Sequence, residues 1–311
     1  MNIPMILGPT GVGKTEILME IGRSLPIEVI SIDSRQIYKY MNIGTAKPDE
    51  AITNILPHHL IDFVEPDQEF NVYRFKELAE RAIDNIIKKG NIPIPTGGTG
   101  MYAESLLSGI VKNAPCNMNV RKALNTIEEE NPGILRKLLK IVDNEAFNKF
   151  HEKDKKRTIR YLEVFLTTGK PLSVLQKEAQ PSKSFTVIIL NRDRKELHER
   201  INKRVDIMLE KGLLQEVKRL REMGFSTDLN AMQSIGYNEI NSYIDGKQNW
   251  KETVELIKRN TRRFAKRQII WFRRYKEATW FNLSKNFFDK NVELIKLKLL
   301  CIWGDKNDGK I

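Results

Sequence analysis

The chain alternates between two rhythms of apolar residues. Ile3 to Leu7 is a continuous apolar run of strand length, and behind it Ile17, Leu18 and Ile21 recur at the spacing of one helix face. Ile27 to Ile32, apolar apart from Glu28 and Ser31, predicts a second strand, and His59 to Val64 predicts a third. Phe70 to Lys89 repeats apolar residues at Phe75, Leu78, Ala82 and Ile86, which reads as a helix, and Ile92-Pro93-Ile94-Pro95 leads into Thr96-Gly97-Gly98-Thr99-Gly100. Strand, loop and helix in alternation predict a parallel sheet with crossover helices. Loops leaving the carboxyl ends of such strands share one edge, so residues 8–15, 33–36 and 97–100 are expected to meet at one cleft.

From Pro115 to Ser184 the pattern turns charged and helical, with breakers at Asn131-Pro132-Gly133 and Gly169-Lys170-Pro171. This predicts an inserted all-helical subdomain at 115–184 within a core made of 1–114 and 185–311. Phe185 to Leu190 is a β-rich run that returns to the sheet. Arg194 to Glu222 and Gln248 to Tyr275 read as long helical stretches, and the polar tail after Gly304 is expected to fray.

Composition narrows the class. With 311 residues, 41% of them hydrophobic, the chain can bury a large core, and 52 Lys plus Arg against 40 Asp plus Glu give a net charge of +12. That balance admits an acidic macromolecular partner. Cys116 and Cys301 stand far apart, which suggests neither a zinc site nor a disulfide framework and fits a reducing cytoplasm. The first strand begins at Ile3, leaving no room for a signal peptide, and no apolar run nears membrane-spanning length; a cytoplasmic monomer is expected.

Gly8-Pro9-Thr10-Gly11-Val12-Gly13-Lys14-Thr15 fits the phosphate-loop pattern G-x-x-x-x-G-K-[ST] between a strand and a helix. Glycines there let backbone N–H groups turn onto a phosphate, Lys14 adds a point charge, and Thr15 is placed to reach Mg²⁺. The helix starting near Lys14 aims its positive end at the same spot. The fold class that follows is α/β, a P-loop NTPase-like parallel sheet with crossover helices. The pattern specifies a polyphosphate but not which one. Asp33, at the end of the second strand, would organise metal in a kinase. The polar run that continues through Ser34, Arg35, Gln36, Ile37 and Tyr38 points elsewhere, because Gln can read an adenine edge and Tyr offers a stacking face.

Taken together these stations resemble the tRNA dimethylallyltransferases, also called tRNA isopentenyltransferases, over nearly the whole chain. They are Gly8 to Thr15, Asp33 to Tyr38, Met41 to Pro48, Pro57 to Asp62, Gly97 to Tyr102, Arg157 to Val164, Leu197 to Met208, Gln233 to Tyr237, and Ala265 to Gln268 with Trp271. The resemblance implies transfer of the dimethylallyl group from dimethylallyl diphosphate to the exocyclic N6 amine of the adenosine just 3′ of the anticodon. It implies Asp33, Lys14 and Thr15 as catalytic groups. Residues Gly8 to Thr15 with Arg204 would hold the diphosphate, in a loop that could also admit ATP without consuming it, and Thr15 would ligate Mg²⁺. The tRNA anticodon stem-loop would be met by Asp33, Ser34, Arg35, Gln36, Thr99, Arg121, Arg157, Arg160, Gln233, Gly236 and Tyr237, with the insertion acting as a clamp.

The chain departs from the family pattern at Gly11, where Ala is usual, at Pro95-Thr96, and at His151-Glu152-Lys153-Asp154. No zinc-finger cysteines follow the helical end, which points to a bacterial-type enzyme. His58-His59 lacks neighbouring ligands and is assigned no metal. Arg259, Arg262, Arg263, Lys266, Arg267, Arg273 and Arg274 recur at helical spacing with Ile257, Phe264 and Trp271 opposite, a basic stripe suited to phosphates. Three alternatives remain: a P-loop small-molecule kinase, a prenyltransferase acting on free adenine nucleotides, and a P-loop RNA-binding protein without catalysis. The kinase reading lacks a second nucleotide motif, and the free-nucleotide reading leaves the insertion and the stripe unexplained.

Overall fold

A computed structural model describes residues 2–111, 114, 116–284 and 287–304. Pro115, the expected start of the insertion, and the tail after Gly304 lie outside the described residues.

The first half runs β1 (Asn2–Leu7), α1 (Lys14–Gly22), β2 (Ile27–Ile32), α2 (Glu50–Ile55), β3 (His58–His59), α3 (Val72–Lys88), β4 (Ile92–Gly97) and α4 (Gly100–Leu107). Five helices follow: α5 (Met118–Glu130), α6 (Ile134–Val142), α7 (Asn144–Lys149), α8 (Lys155–Thr168) and α9 (Leu172–Glu178). The chain then adds β5 (Ser184–Asn191), α10 (Arg194–Glu210), α11 (Leu213–Glu222), α12 (Tyr237–Ile244), α13 (Trp250–Phe272), β6 (Thr279–Asn282) and α14 (Phe288–Gly304). The strands form one parallel sheet in the order β3-β2-β4-β1-β5-β6.

Two compact units emerge, residues 1–104 with 183–311 and residues 105–182, against the expected cuts at 114/115 and 184/185. The helical unit has its own core, in which Leu124, Leu135, Leu139, Leu162 and Val164 are buried. In the sheet unit, α1 packs Ile17, Leu18 and Ile21 against the strands, and α14 adds Val292, Ile295 and Leu299. A second cluster joins the loop after β2 to α11 and α12 through Ile37, Tyr38, Val217, Tyr237 and Ile240. Among the described residues no helix is long and apolar enough to cross a membrane.

Several expectations need correction. The third strand stops at His59, because Leu60 and Asp62 take φ of 62° and 58°. The backbone N–H groups of Asp62 and Phe63 donate instead to the carbonyls of Gln36 and Ile37, at 2.9 and 2.9 Å, so this apolar segment pairs with the loop after β2. The stretch from Arg194 to Glu222 divides at Gly212, whose φ of 98° starts a new helix. Strand β6 and helix α14 were not foreseen. The prolines of β4 have a readable consequence: the N–H of Ile92 faces β2, donating to Pro26, so by alternation the N atoms of Pro93 and Pro95 face β1. Pairing with β1 is accordingly confined to Ile6 with Thr96 and Leu7 with Gly97, and the Thr96 hydroxyl adds a 2.7 Å bond to the Ile6 carbonyl.

Candidate active site

The loop from Gly8 to Gly13 leaves β1 at the centre of the sheet, between β4 and β5. Its curvature rests on Gly11 and Gly13, with φ of 78° and 108°, in the region that disfavours side chains. Gly11 therefore occupies a conformation that an alanine there would strain, and a Cβ would stand 2.9 Å from Ile201. Carbonyls on the outside of the loop are taken by arginines: Arg192 Nε donates to Val12 O and Arg200 Nε to Gly11 O, both at 3.0 Å. Arg192 also pairs with Glu196, and Arg200 with Glu16. With those acceptors satisfied, the amide groups at the start of α1 are left to serve an anion.

Lys14 Nζ donates to the carbonyls of Gly8, at 2.8 Å, and Pro9, at 3.1 Å. Burial pulls its pKa down to about 8, the positive charge of Arg204 pushes the same way, and Asp33 opposes both. Arg204 is itself lowered by burial, with Asp33 and Glu16 opposing. The structure thus brings together Lys14, Arg204 and Asp33, two partly buried cations beside one carboxylate. Such a site favours an anionic ligand, which restores the solvation the cations lost.

Asp33 closes a tight turn after β2, its Oδ1 accepting from the N–H of Arg35 at 2.8 Å and of Gln36 at 3.3 Å. Thr99, just past β4, accepts the Ser34 N–H on its hydroxyl at 3.1 Å, so the two loops are locked side by side. Gly97 is forced by this approach, since a Cβ there would stand 2.0 Å from the Ile32 carbonyl. Arg35 reaches the carbonyl of Asn230 at 2.6 Å.

Other expected contacts are arranged differently. Gln36 uses its whole amide inside the protein, donating to the carbonyls of Thr45 and Ala46 and accepting from Ser31, so it does not offer an edge to a base. Tyr38 is 2% exposed and presents no stacking face. Tyr237 is fully buried and its hydroxyl donates to Glu216 at 2.6 Å; Gly236 is buried as well, which leaves Gln233 as the exposed member of that group. Glu216, a residue the sequence reading passed over, also accepts the N–H groups of Asn42, Ile43 and Gly44 and so fixes the loop after β2.

In the helical unit, Arg121 and Arg160 converge on the fully buried Glu163. Burial pushes the Glu163 pKa up, but the hydrogen bonds from Arg121, Arg160 and the Asn117 N–H outweigh it and hold the carboxyl below its usual range. Arg157 is exposed, lies over the Phe150 ring at 5.1 Å and pairs with Asp154. The stripe stands at Arg259, Arg263, Lys266 and Arg267 on α13 and continues past its end to Arg273 and Arg274, all exposed. Arg262 instead turns to Asn202 on α10, and Phe264, expected opposite the stripe, is exposed beneath Arg267. His58 and His59 serve the fold: His58 bonds the Leu56 carbonyl and His59 the buried Glu28.

Among the described residues no cluster of three His, Cys, Asp or Glu could hold a metal. The donor set suits Mg²⁺ all the same, because that ion keeps most of its waters and takes one or two protein oxygens plus substrate phosphates. Thr15, exposed in the first turn of α1, is such an oxygen.

A phosphate-loop sequence with a carboxylate beside its lysine, on the carboxyl edge of a parallel sheet, defines an α/β protein of P-loop-type fold. Comparison with known proteins narrows that class. A family model described as IPP transferase matches residues 36–275, and one described as isopentenyl transferase matches residues 1–56. The tRNA dimethylallyltransferase of Kosmotoga olearia is 56% identical over 306 residues, covering 98% of this chain and 99% of its own. That of Thermotoga petrophila is 50% identical over 302 residues, 97% and 98% of the two chains. The solved tRNA isopentenylpyrophosphate transferase of Bacillus halodurans superposes with a TM-score of 0.74 at 34% identity, covering 99% of this chain and 98% of that one. A eukaryotic dimethylallyltransferase acting on tRNA gives 0.83 at 28% identity, over 100% of this chain and 80% of that one. The chain belongs to the tRNA dimethylallyltransferase family.

Proposed function

We propose that the protein transfers a dimethylallyl group from dimethylallyl diphosphate to the N6 amine of the adenosine 3′-adjacent to the anticodon of tRNA, as a monomer, releasing diphosphate. One observation carries the reading: Asp33 lies within electrostatic reach of both Lys14 and Arg204, so a carboxylate able to take a proton sits beside cations able to hold a diphosphate. Its relatives are named tRNA dimethylallyltransferases, which supports the group transferred and the tRNA acceptor.

In the reaction, the N6 lone pair forms a bond to the allylic carbon as that carbon's bond to the diphosphate oxygen breaks. Positive charge on the allylic fragment is delocalised, so stabilising the departing diphosphate contributes most. Lys14, Arg204 and the loop N–H groups supply that stabilisation, and Asp33 accepts the N6 proton as the new bond forms. Mg²⁺, held by Thr15 and the donor's phosphate oxygens, would add further charge against the leaving group. Thr99, held by the Ser34 N–H, would line the side of the cleft that takes the adenine.

The test is incubation with unmodified tRNA and dimethylallyl diphosphate followed by nucleoside mass analysis. An adenosine heavier by one dimethylallyl group, at the position after the anticodon, is expected. ATP hydrolysis in step with product formation would support a kinase instead, and modification of free adenosine monophosphate in preference to tRNA would shift the acceptor class.

A further inference from the structure

We infer that Gln268 is a positioning residue that sets the spacing between the phosphate loop and the acceptor side of the cleft. The inference rests on the functional reading above. Gln268 comes from α13 and is 6% exposed. Its Oε1 accepts the N–H of Thr10 at 2.9 Å, and its Nε2 donates to the carbonyl of Gly98 at 2.9 Å. One amide side chain thus joins a phosphate-loop residue to the loop that carries Thr99.

The bridge is specific in two ways. An amide is the side chain of this length that both accepts and donates along one plane; a carboxylate loses the donor and an apolar chain loses both. Gly98 is matched to it, since a Cβ there would stand 2.1 Å from Nε2. The neighbours of Gly98 extend the linkage in both directions. Gly97 O accepts the N–H of Gly8, while the Thr99 hydroxyl accepts the N–H of Ser34, next to Asp33. Three residues further along α13, the Trp271 indole lies where a Cβ on Gly100 would fall, at 2.5 Å, so the same helix grips this loop at a second point. The separation of the donor's allylic carbon from the amine held near Asp33 therefore depends on Gln268, and group transfer is steeply sensitive to such a separation.

Gln268→Glu and Gln268→Met separate positioning from simple stabilisation. The measurements are pyrophosphate affinity, the single-turnover transfer rate with donor and tRNA both saturating, and hydrogen exchange at the Thr10 amide. The Glu variant keeps the Thr10 bond but sets a carboxylate against the Gly98 carbonyl. Its pyrophosphate affinity is expected to stay within about threefold of the parent while its saturated rate falls at least about tenfold. The Met variant is expected to lose both, with Thr10 exchange quickened by about tenfold or more. Saturated rates within about threefold of the parent in both variants overturn the positioning role, as does unchanged Thr10 exchange in the Met variant, a readout that needs no activity. Lys14→Met and Asp33→Asn are run alongside. If those two leave pyrophosphate affinity and transfer unchanged, the functional reading fails; if they act as expected and the Gln268 variants match the parent, the positioning role alone fails.

Discussion

Raising the pH is expected to weaken the hold of the phosphate loop on its ligand by discharging Lys14. The pKa of about 8 arises because the ammonium is buried and faces Arg204, with Asp33 as partial compensation. A bound diphosphate adds negative charge beside the ammonium and pulls the pKa back up, so binding above that pH takes up a proton. With a free-state pKa of about 8, Lys14 is about nine-tenths charged at pH 7 and about one-quarter charged at pH 8.5. Uptake on binding then rises from about 0.1 to about 0.75 proton, and affinity at pH 9 is about tenfold weaker than at pH 7. Calorimetric titration with inorganic pyrophosphate, repeated in buffers of different ionisation enthalpy, counts the protons. The ligand titrates in this range too, so the quantity that matters is the difference between the parent and Lys14→Met. Equal uptake in the two proteins at pH 8.5 would refute the reasoning. The same shift makes a claim about stability. Between about 8 and 10.5 the unfolded chain holds this proton more firmly than the folded one, so the charged lysine opposes folding below that window and the opposition fades as the pH rises through it. Lys14→Met is therefore expected to unfold at a higher temperature than the ligand-free parent near pH 7.

Asp33→Asn is expected to slow single-turnover transfer by about a hundredfold or more, with tRNA affinity little changed; an unaltered rate removes Asp33 as the base. Arg263→Ala and Arg267→Ala should each reduce the slope of log tRNA affinity against log salt by about 0.7 to 0.9, and a constant slope takes the α13 stripe out of the interface. Arg157→Ala probes the helical unit without breaking the Glu163 cluster, and a loss of tRNA affinity with donor affinity unchanged is expected. Glu163→Ala leaves two arginines facing a buried void and should cost the helical unit about 3–5 kcal/mol in denaturant titration. Because the Glu163 pKa is lowered by folding, the stability it contributes is present above the unfolded-state value and fades as the pH falls through the folded one, so parent and Glu163→Ala should converge in acid.

The alternation of strand and helix made the first half of the sheet legible, and the glycine pattern located the phosphate loop, because both are consequences of local chemistry. The place of Asp33 just past the second strand was legible as well. The short third strand was misread because Ile61 to Val64 is apolar enough for a sheet, while the left-handed turns at Leu60 and Asp62 that divert it involve residues that rarely signal them. Strand β6 was missed because Trp280 and Phe281 alternate over only four residues after a charged helix. Gln36, Tyr38 and Tyr237 share the type of a base-reading residue, and only burial separates that role from bracing the wall. Gln268 and Glu216 join segments hundreds of positions apart in one case and far along the chain in both, and no spacing rule marks such partners.

Of the six strands of the described sheet, the one that carries the phosphate loop is made before the other five and among the last to be completed. Its longest partner, β5, begins at Ser184, and the register from Asn2↔Ser184 to Leu7↔Ile189 cannot exist until that segment has been synthesised. During synthesis the helices of residues 105–182 can close their own core from contacts within that segment, whereas β1 waits with one edge bare. Pairings so distant in sequence form slowly, and an open apolar edge invites mispairing with other chains. Nascent chains stalled before Ser184 are thus expected to aggregate more readily than chains in which β5 has reached β1.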